Sequence, residues 1–195
     1  MEVPNRTHAV IRLQWLSVLW MAIEFAVAVV LGIKASSLAL VAFGGDSAVE
    51  LFSAAVVLHR FYAGEHAERN ATRIAAILLY LLAAFVFLSS IASLFNGNLR
   101  AEPSYLGISF LIAAAVIMPW LGRRKRALAT ITCSSALKAD AAQSSICAYM
   151  SWIALGSLVV NAVFHLPWVD SAAALLLVPL IVHEANEARK GQACC

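Results

Sequence analysis

The sequence predicts an all-α membrane protein with six transmembrane helices and no soluble domain. Three observations carry that reading. The 195 residues are 62% hydrophobic and 13% charged, with a mean hydropathy of +0.83, whereas soluble domains are about 45–50% apolar and about 25% charged. The apolar residues gather into stretches of the ~20 residues that a helix needs to cross a bilayer. The Lys and Arg residues crowd into alternate connections between those stretches, the pattern that orients membrane proteins.

The first helix is expected over about 9–31. It contains Glu24 and is too long for the apolar core of a cleavable signal peptide. The second is expected over about 36–61 and the third over 73–95. Asn96-Gly97-Asn98 and Glu102-Pro103-Ser104 then break the chain. The fourth is expected over 105–121, with Pro119 near its end, where a disturbance of the helix costs little. Arg123-Arg124-Lys125-Arg126 is read as the loop that follows, held on the inner side by its charge. The fifth is expected over 127–164, longer than one crossing, with its basic end projecting into water. Pro167 opens the sixth, over 168–187. Asp170 is expected to cap that helix, and Pro179 is a candidate kink within it.

With the N-terminus inside, the inner side collects Arg6, Arg12, Arg60, Arg69, Arg73, Arg123 to Arg126, Arg189 and Lys190, and the outer side holds only Lys34 and Arg100. Both termini are therefore expected in the cytoplasm, in a plasma or inner membrane. The formal charge of +3 is spent on topology, not on a nucleic-acid surface. Cys133 and Cys147 fall too far apart on one helix to bridge, so no disulfide framework is expected. Cys194 and Cys195 close the chain as a soft-metal contact or a tail without function.

Acidic residues inside these stretches point to a site. A charged group at mid-bilayer costs roughly 2.5–3.5 kcal/mol on insertion scales and is retained for a reason. Asp46 and Glu50 lie at i and i+4, on one face of the second helix. Gln143 and Cys147 repeat that spacing on the fifth, and Asp140 lies one turn before Gln143. A weak internal repeat aligns 37–47 with 134–144 and carries Asp46 onto Gln143 and Glu50 onto Cys147. Gly44, Gly45 and the Ala and Ser residues around Gln143 allow close helix approach.

These groups offer carboxylate oxygens, an amide oxygen and, once deprotonated, a thiolate. Such a mixed set favours zinc, cadmium or another soft cation over magnesium or calcium. Neighbouring carboxylates resist joint ionisation, so metal entry is expected to expel protons. Asp46, Glu50, Asp140, Gln143 and Cys147 are thus the candidate metal ligands, against a structural role as hydrogen-bonding residues. Glu24 is a candidate proton relay or hydrogen-bond partner. His59, His66 and His183 with Glu65, Glu68 and Glu184 are read as a solvated group near the inner face, with a metal-loading site as the alternative.

Three segments resemble the cation diffusion facilitators. They are Ser37-Leu38-Ala39-Leu40 leading into Asp46-Ser47-Ala48-Val49-Glu50, Lys138-Ala139-Asp140-Ala141-Ala142-Gln143 leading to Cys147, and Val169-Asp170-Ser171. The resemblance implies a cation-efflux-type transmembrane domain and proton-coupled export of zinc or a related divalent metal. It also implies a site shared by i,i+4 pairs on helices two and five. Two departures stand out. The family commonly has His or Asp followed by Asp on helix two, and His and Asp on helix five. This sequence has Asp46 and Glu50, then Gln143 and Cys147, with Asp140 as a substitute ligand. The family's cytoplasmic metal-binding and dimerising domain has no counterpart here, as in one small branch, so a homodimer would rest on membrane helices.

The expectation is a secondary transporter, an antiporter of a divalent cation (Zn2+ first) against protons, with no tightly bound cofactor. No nucleophile–base set and no metal-hydrolase motif suggests an enzyme. The alternative is a metal-binding or regulatory membrane protein of the same fold that does not transport.

Overall fold

The computed structural model describes residues 3–63, 68–96, 101–132 and 135–190. Cys133, Cys194, Cys195, Glu65, His66, Arg100 and the Gly97-Asn98 pair lie outside the described residues. Six helices follow in chain order: α1 (Val3–Lys34), α2 (Leu38–Ala63), α3 (Glu68–Asn96), α4 (Tyr105–Thr132), α5 (Ser135–Phe164) and α6 (Trp168–Lys190). Each contains a stretch long and apolar enough to cross a membrane, so the chain is an all-α, multi-pass membrane protein. An even number of crossings puts the start of α1 and the end of α6 at one end of the bundle. Arg123 to Arg126 of α4 and Arg189 of α6 lie toward it, and it is called the basic end below.

At the basic end every helix except α5 runs further than expected. Apolar pattern marks only the part of a helix that meets hydrocarbon, whereas Arg, Lys, Glu and Ala continue a helix readily into water. The consequence is largest at α4. Its 28 residues include Pro119 and Arg123 to Arg126 and span about 42 Å, well beyond a ~30 Å hydrocarbon core. The basic run is therefore helical, not a loop. Helix α4 continues through 122–126 and ends at Thr132, so 127–132 belongs to α4, and α5 starts at Ser135. Pro119 lies mid-helix, a placement that membrane helices tolerate because neighbouring groups take up the freed carbonyl.

The closest pairings are α1 with α2, α4 with α5, and α3 with α6. Helix α2 touches α1, α3, α5 and α6 and is the most enclosed span, 61% buried against 28% for α1 and for α3. One apolar core draws on all six helices, among them Met21, Phe43, Leu79, Met118, Met150 and Leu177. Leu19, Leu81, Leu88, Val116, Trp152 and Leu176 face outward, as expected of a surface that meets acyl chains.

Two glycines set the packing around α2. A Cβ on Gly44 would lie 2.9 Å from Val29 Cγ2 and 3.1 Å from the Val29 backbone nitrogen, so α1 runs directly against it. A Cβ on Gly45 would lie 2.6 Å from Leu82 Cδ1 of α3. Small residues supply this close approach in membranes, where lipid gives helices no hydrophobic reason to associate.

The turn from α1 to α2 is tightly specified. Ser36 is left-handed (φ 50°) and the Ser37 amide donates to the Gly32 carbonyl at 2.9 Å, a Schellman-type end to α1. Ser37 Oγ then accepts from the Leu40 amide at 3.1 Å and donates to Asp170 Oδ1 at 2.5 Å. The Ala39 amide donates to Asp170 Oδ2 at 3.3 Å. Asp170, expected to cap its own helix, lies within the first turn of α6 and closes the N-terminus of α2 instead. It thereby pins α6 to α2 at the end opposite the basic end.

Candidate cation site

Helix periodicity explains which polar groups meet. On α5, Asp140, Gln143, Ser144 and Cys147 recur at three- and four-residue spacing and are all buried. On α2, Asp46, Ser47 and Glu50 are buried as well. The two faces turn toward each other because α2 packs on α5.

Asp46 is a near neighbour of the Cys147 thiol and of the Glu184 carboxyl. Glu184 reaches the Gln143 side chain in turn. Asp46 and Cys147 are thus neighbours, and Gln143 lies beside Glu184. Glu184 joins them from α6. The sequence places it in a solvated group with His59 and His183, yet Glu184 is buried whereas both histidines are exposed.

Glu50 and Asp140 are also brought together, but around a cation supplied by the protein. Lys125 of α4 is 0% exposed. Its Nζ lies 3.0 Å from Asp140 Oδ2 and 3.4 Å from Glu50 Oε1, and donates to Ser144 Oγ at 2.9 Å. An ammonium has three donors, and these three acceptors use them all. Ser144 Oγ also donates to Glu50 Oε1, and Gln14 Nε2 of α1 donates to Asp140 Oδ2 at 2.8 Å. The basic run is thus divided by the helix: Arg123, Arg124 and Arg126 are exposed, and Lys125 points into the bundle.

Glu24 lies beside the first group. Ser47 Oγ donates to Glu24 Oε2 at 3.3 Å, and Ser47 also reaches the Phe43 carbonyl at 3.0 Å. The candidate relay is therefore attached to the residue that follows Asp46.

The electrostatic balance is lopsided. Glu24, Asp46, Glu50, Asp140 and Glu184 are buried near one another, and Lys125 is the one buried Lys or Arg among the described residues. Each of these five carboxylates leaves one oxygen without a hydrogen-bond partner among the described residues: Glu24 Oε1, Asp46 Oδ2, Glu50 Oε2, Asp140 Oδ1 and Glu184 Oε2. Buried polar groups are almost always paired, so a cluster of unpaired acceptors demands an explanation. A proton or a cation between carboxylates supplies one. Among the described residues, no three His, Cys, Asp or Glu side chains are already gathered in metal-binding geometry. Glu50 and Asp140 are instead held by the Lys125 ammonium.

Lys125, Glu184 and Gln14 escaped the sequence reading, although a signal existed for two of them. Met118, Gly122, Lys125 and Ala129 form one buried stripe of α4, and Leu177, Ile181 and Glu184 form one of α6. Both charged residues stand where the apolar stripe would have continued. Compared with known proteins, the chain matches no family model and no curated protein.

Proposed function

We propose that this protein exchanges a divalent metal cation, zinc or a similarly soft ion, for protons across a membrane. The basic end would face the cytoplasm, in keeping with the asymmetry of Lys and Arg. The observation that carries the reading is the set of five buried carboxylates, each with an unpartnered oxygen, balanced by one buried ammonium. Net negative charge in a low-dielectric interior calls for counter-charge, and protons and a dication are interchangeable in that role.

Asp46, Glu184 and Cys147 would bind the ion, with the Gln143 oxygen as a neutral fourth donor. Carboxylate and thiolate together suit zinc or cadmium better than magnesium. Loading would displace the proton that the Asp46–Glu184 contact requires. Glu24, linked to this group through Ser47, would pass protons onward. Alternating exposure would come from movement of the α3–α6 pair against the other four helices, because Glu184 rides on α6 and Asp46 on α2.

Vesicle flux is the test. Purified protein in liposomes should move zinc, cadmium, cobalt or manganese, and Asp46→Ala should abolish the movement. Cys147→Ser should shift preference away from zinc and cadmium. No flux for any of these ions would end the transport reading. Binding that depends on Asp46 without flux would instead support a non-transporting metal-binding protein, a reading that the occupied Glu50–Asp140 pair favours.

A further inference from the structure

The geometry points to Lys125 as a tethered counter-cation that occupies Glu50 and Asp140 in the empty protein and yields them to the transported cation. The inference deepens the transport reading and rests on it. It concerns a residue outside the candidate ligand set.

Four observations converge. First, the ammonium is fully coordinated by protein groups, at 3.0 Å from Asp140, 3.4 Å from Glu50 and 2.9 Å from Ser144. Two carboxylates and a hydroxyl are what a small hard or borderline cation would also take. Second, the same two carboxylates keep free oxygens, Glu50 Oε2 and Asp140 Oδ1. An arriving cation can therefore engage them before the ammonium leaves. Third, Glu50 stands one helical turn from Asp46, and Gln143 immediately precedes Ser144, so the lysine-held pair adjoins the Asp46–Cys147–Glu184 group. Fourth, Lys125 has a place to go. It lies near the basic end of α4, flanked by the exposed Arg124 and Arg126, on a flexible four-carbon stem that lets an ammonium move to water.

The arrangement has a functional logic. A bare cluster of carboxylates would bind a dication too tightly to release it. A tethered ammonium competes at every cycle, weakens binding and returns as the cation departs. Lys125 acts here as a permanent charge that changes place; its own protonation need not change.

The experiment compares wild type, Lys125→Met and Lys125→Arg, each shown to be folded by size exclusion and thermal unfolding. Zn2+ binding is measured by calorimetry and Zn2+ flux in liposomes. Lys125→Met should bind Zn2+ at least about tenfold more tightly, a change of about 1.4 kcal/mol, and turn over more slowly. Lys125→Arg, whose fork grips both carboxylates, should bind Zn2+ more weakly. Unchanged affinity in both folded variants, with wild-type flux intact, overturns the inference and leaves the transport reading standing. Absence of Zn2+ binding and flux in wild type itself removes both.

A second measurement needs no variant. A membrane-permeant amine-acylating reagent should leave Lys125 unmodified in wild type without metal and modify it at saturating Zn2+, read by peptide mass spectrometry. Lys125 that stays protected at a Zn2+ concentration that saturates transport also overturns the inference.

Discussion

Replacing Asp140 with asparagine removes one charge from the lysine-centred cluster while keeping its shape. At 3.0 Å from Lys125 Nζ, a unit charge contributes about 5.5 kcal/mol of attraction at an effective dielectric of about 20, against about 4.9 kcal/mol for Glu50 at 3.4 Å. These are gross attractions, offset by the desolvation of each ion. Breaking a buried pair by removing one partner costs about 3–5 kcal/mol. Asp140→Asn should fall at the low end, about 3 kcal/mol, because Lys125 keeps Glu50 and Ser144 and the amide oxygen can still accept. Lys125→Met alone should cost about as much, since it leaves Glu50 and Asp140 facing each other. The double variant should then be more stable than the sum of the singles implies, with a coupling of about 1–3 kcal/mol. Reversible unfolding in mixed micelles, followed by circular dichroism, completes the cycle. Additive losses, or a wild-type midpoint for Asp140→Asn, would refute the claim that this ion pair holds α4 to α5.

Two structural predictions stand apart from the site. Gly44→Ala should destabilise the bundle by about 1–3 kcal/mol, because the new methyl meets Val29 side chain and backbone at 2.9 and 3.1 Å; unfolding in the same micelles measures it. Asp170→Ala should cost about 1–2 kcal/mol by uncapping α2 and freeing Ser37 and the Ala39 amide. Its signature is faster amide hydrogen exchange over 38–41, and unchanged exchange there would contradict the capping role.

Much of the fold was legible because membrane helices announce themselves by length and apolarity, and short connections leave few ways to arrange six of them. The burial of Asp46, Gln143 and Cys147 was legible for a similar reason: ionisable or polar residues at i and i+4 in an apolar helix must face protein. What escaped was charge at helix ends. Lys125 sits among four consecutive basic residues, where composition says loop, and only helical phase separates it from Arg124 and Arg126. Glu184 sits between His183 and the polar end of α6, where composition says solvent. Asp170 carries a capping side chain at a helix start, but its partner lies on α2, and no local pattern reports a contact across more than 130 residues.

The most direct test of the central claim is proton movement driven by zinc. Liposomes holding the wild-type protein and a trapped pH indicator receive an outward or inward Zn2+ gradient. The account predicts a proton flow opposite to zinc, which Asp46→Ala and Glu184→Gln each abolish. Zinc movement with no accompanying proton flow, or proton flow that survives loss of both carboxylates, would contradict it.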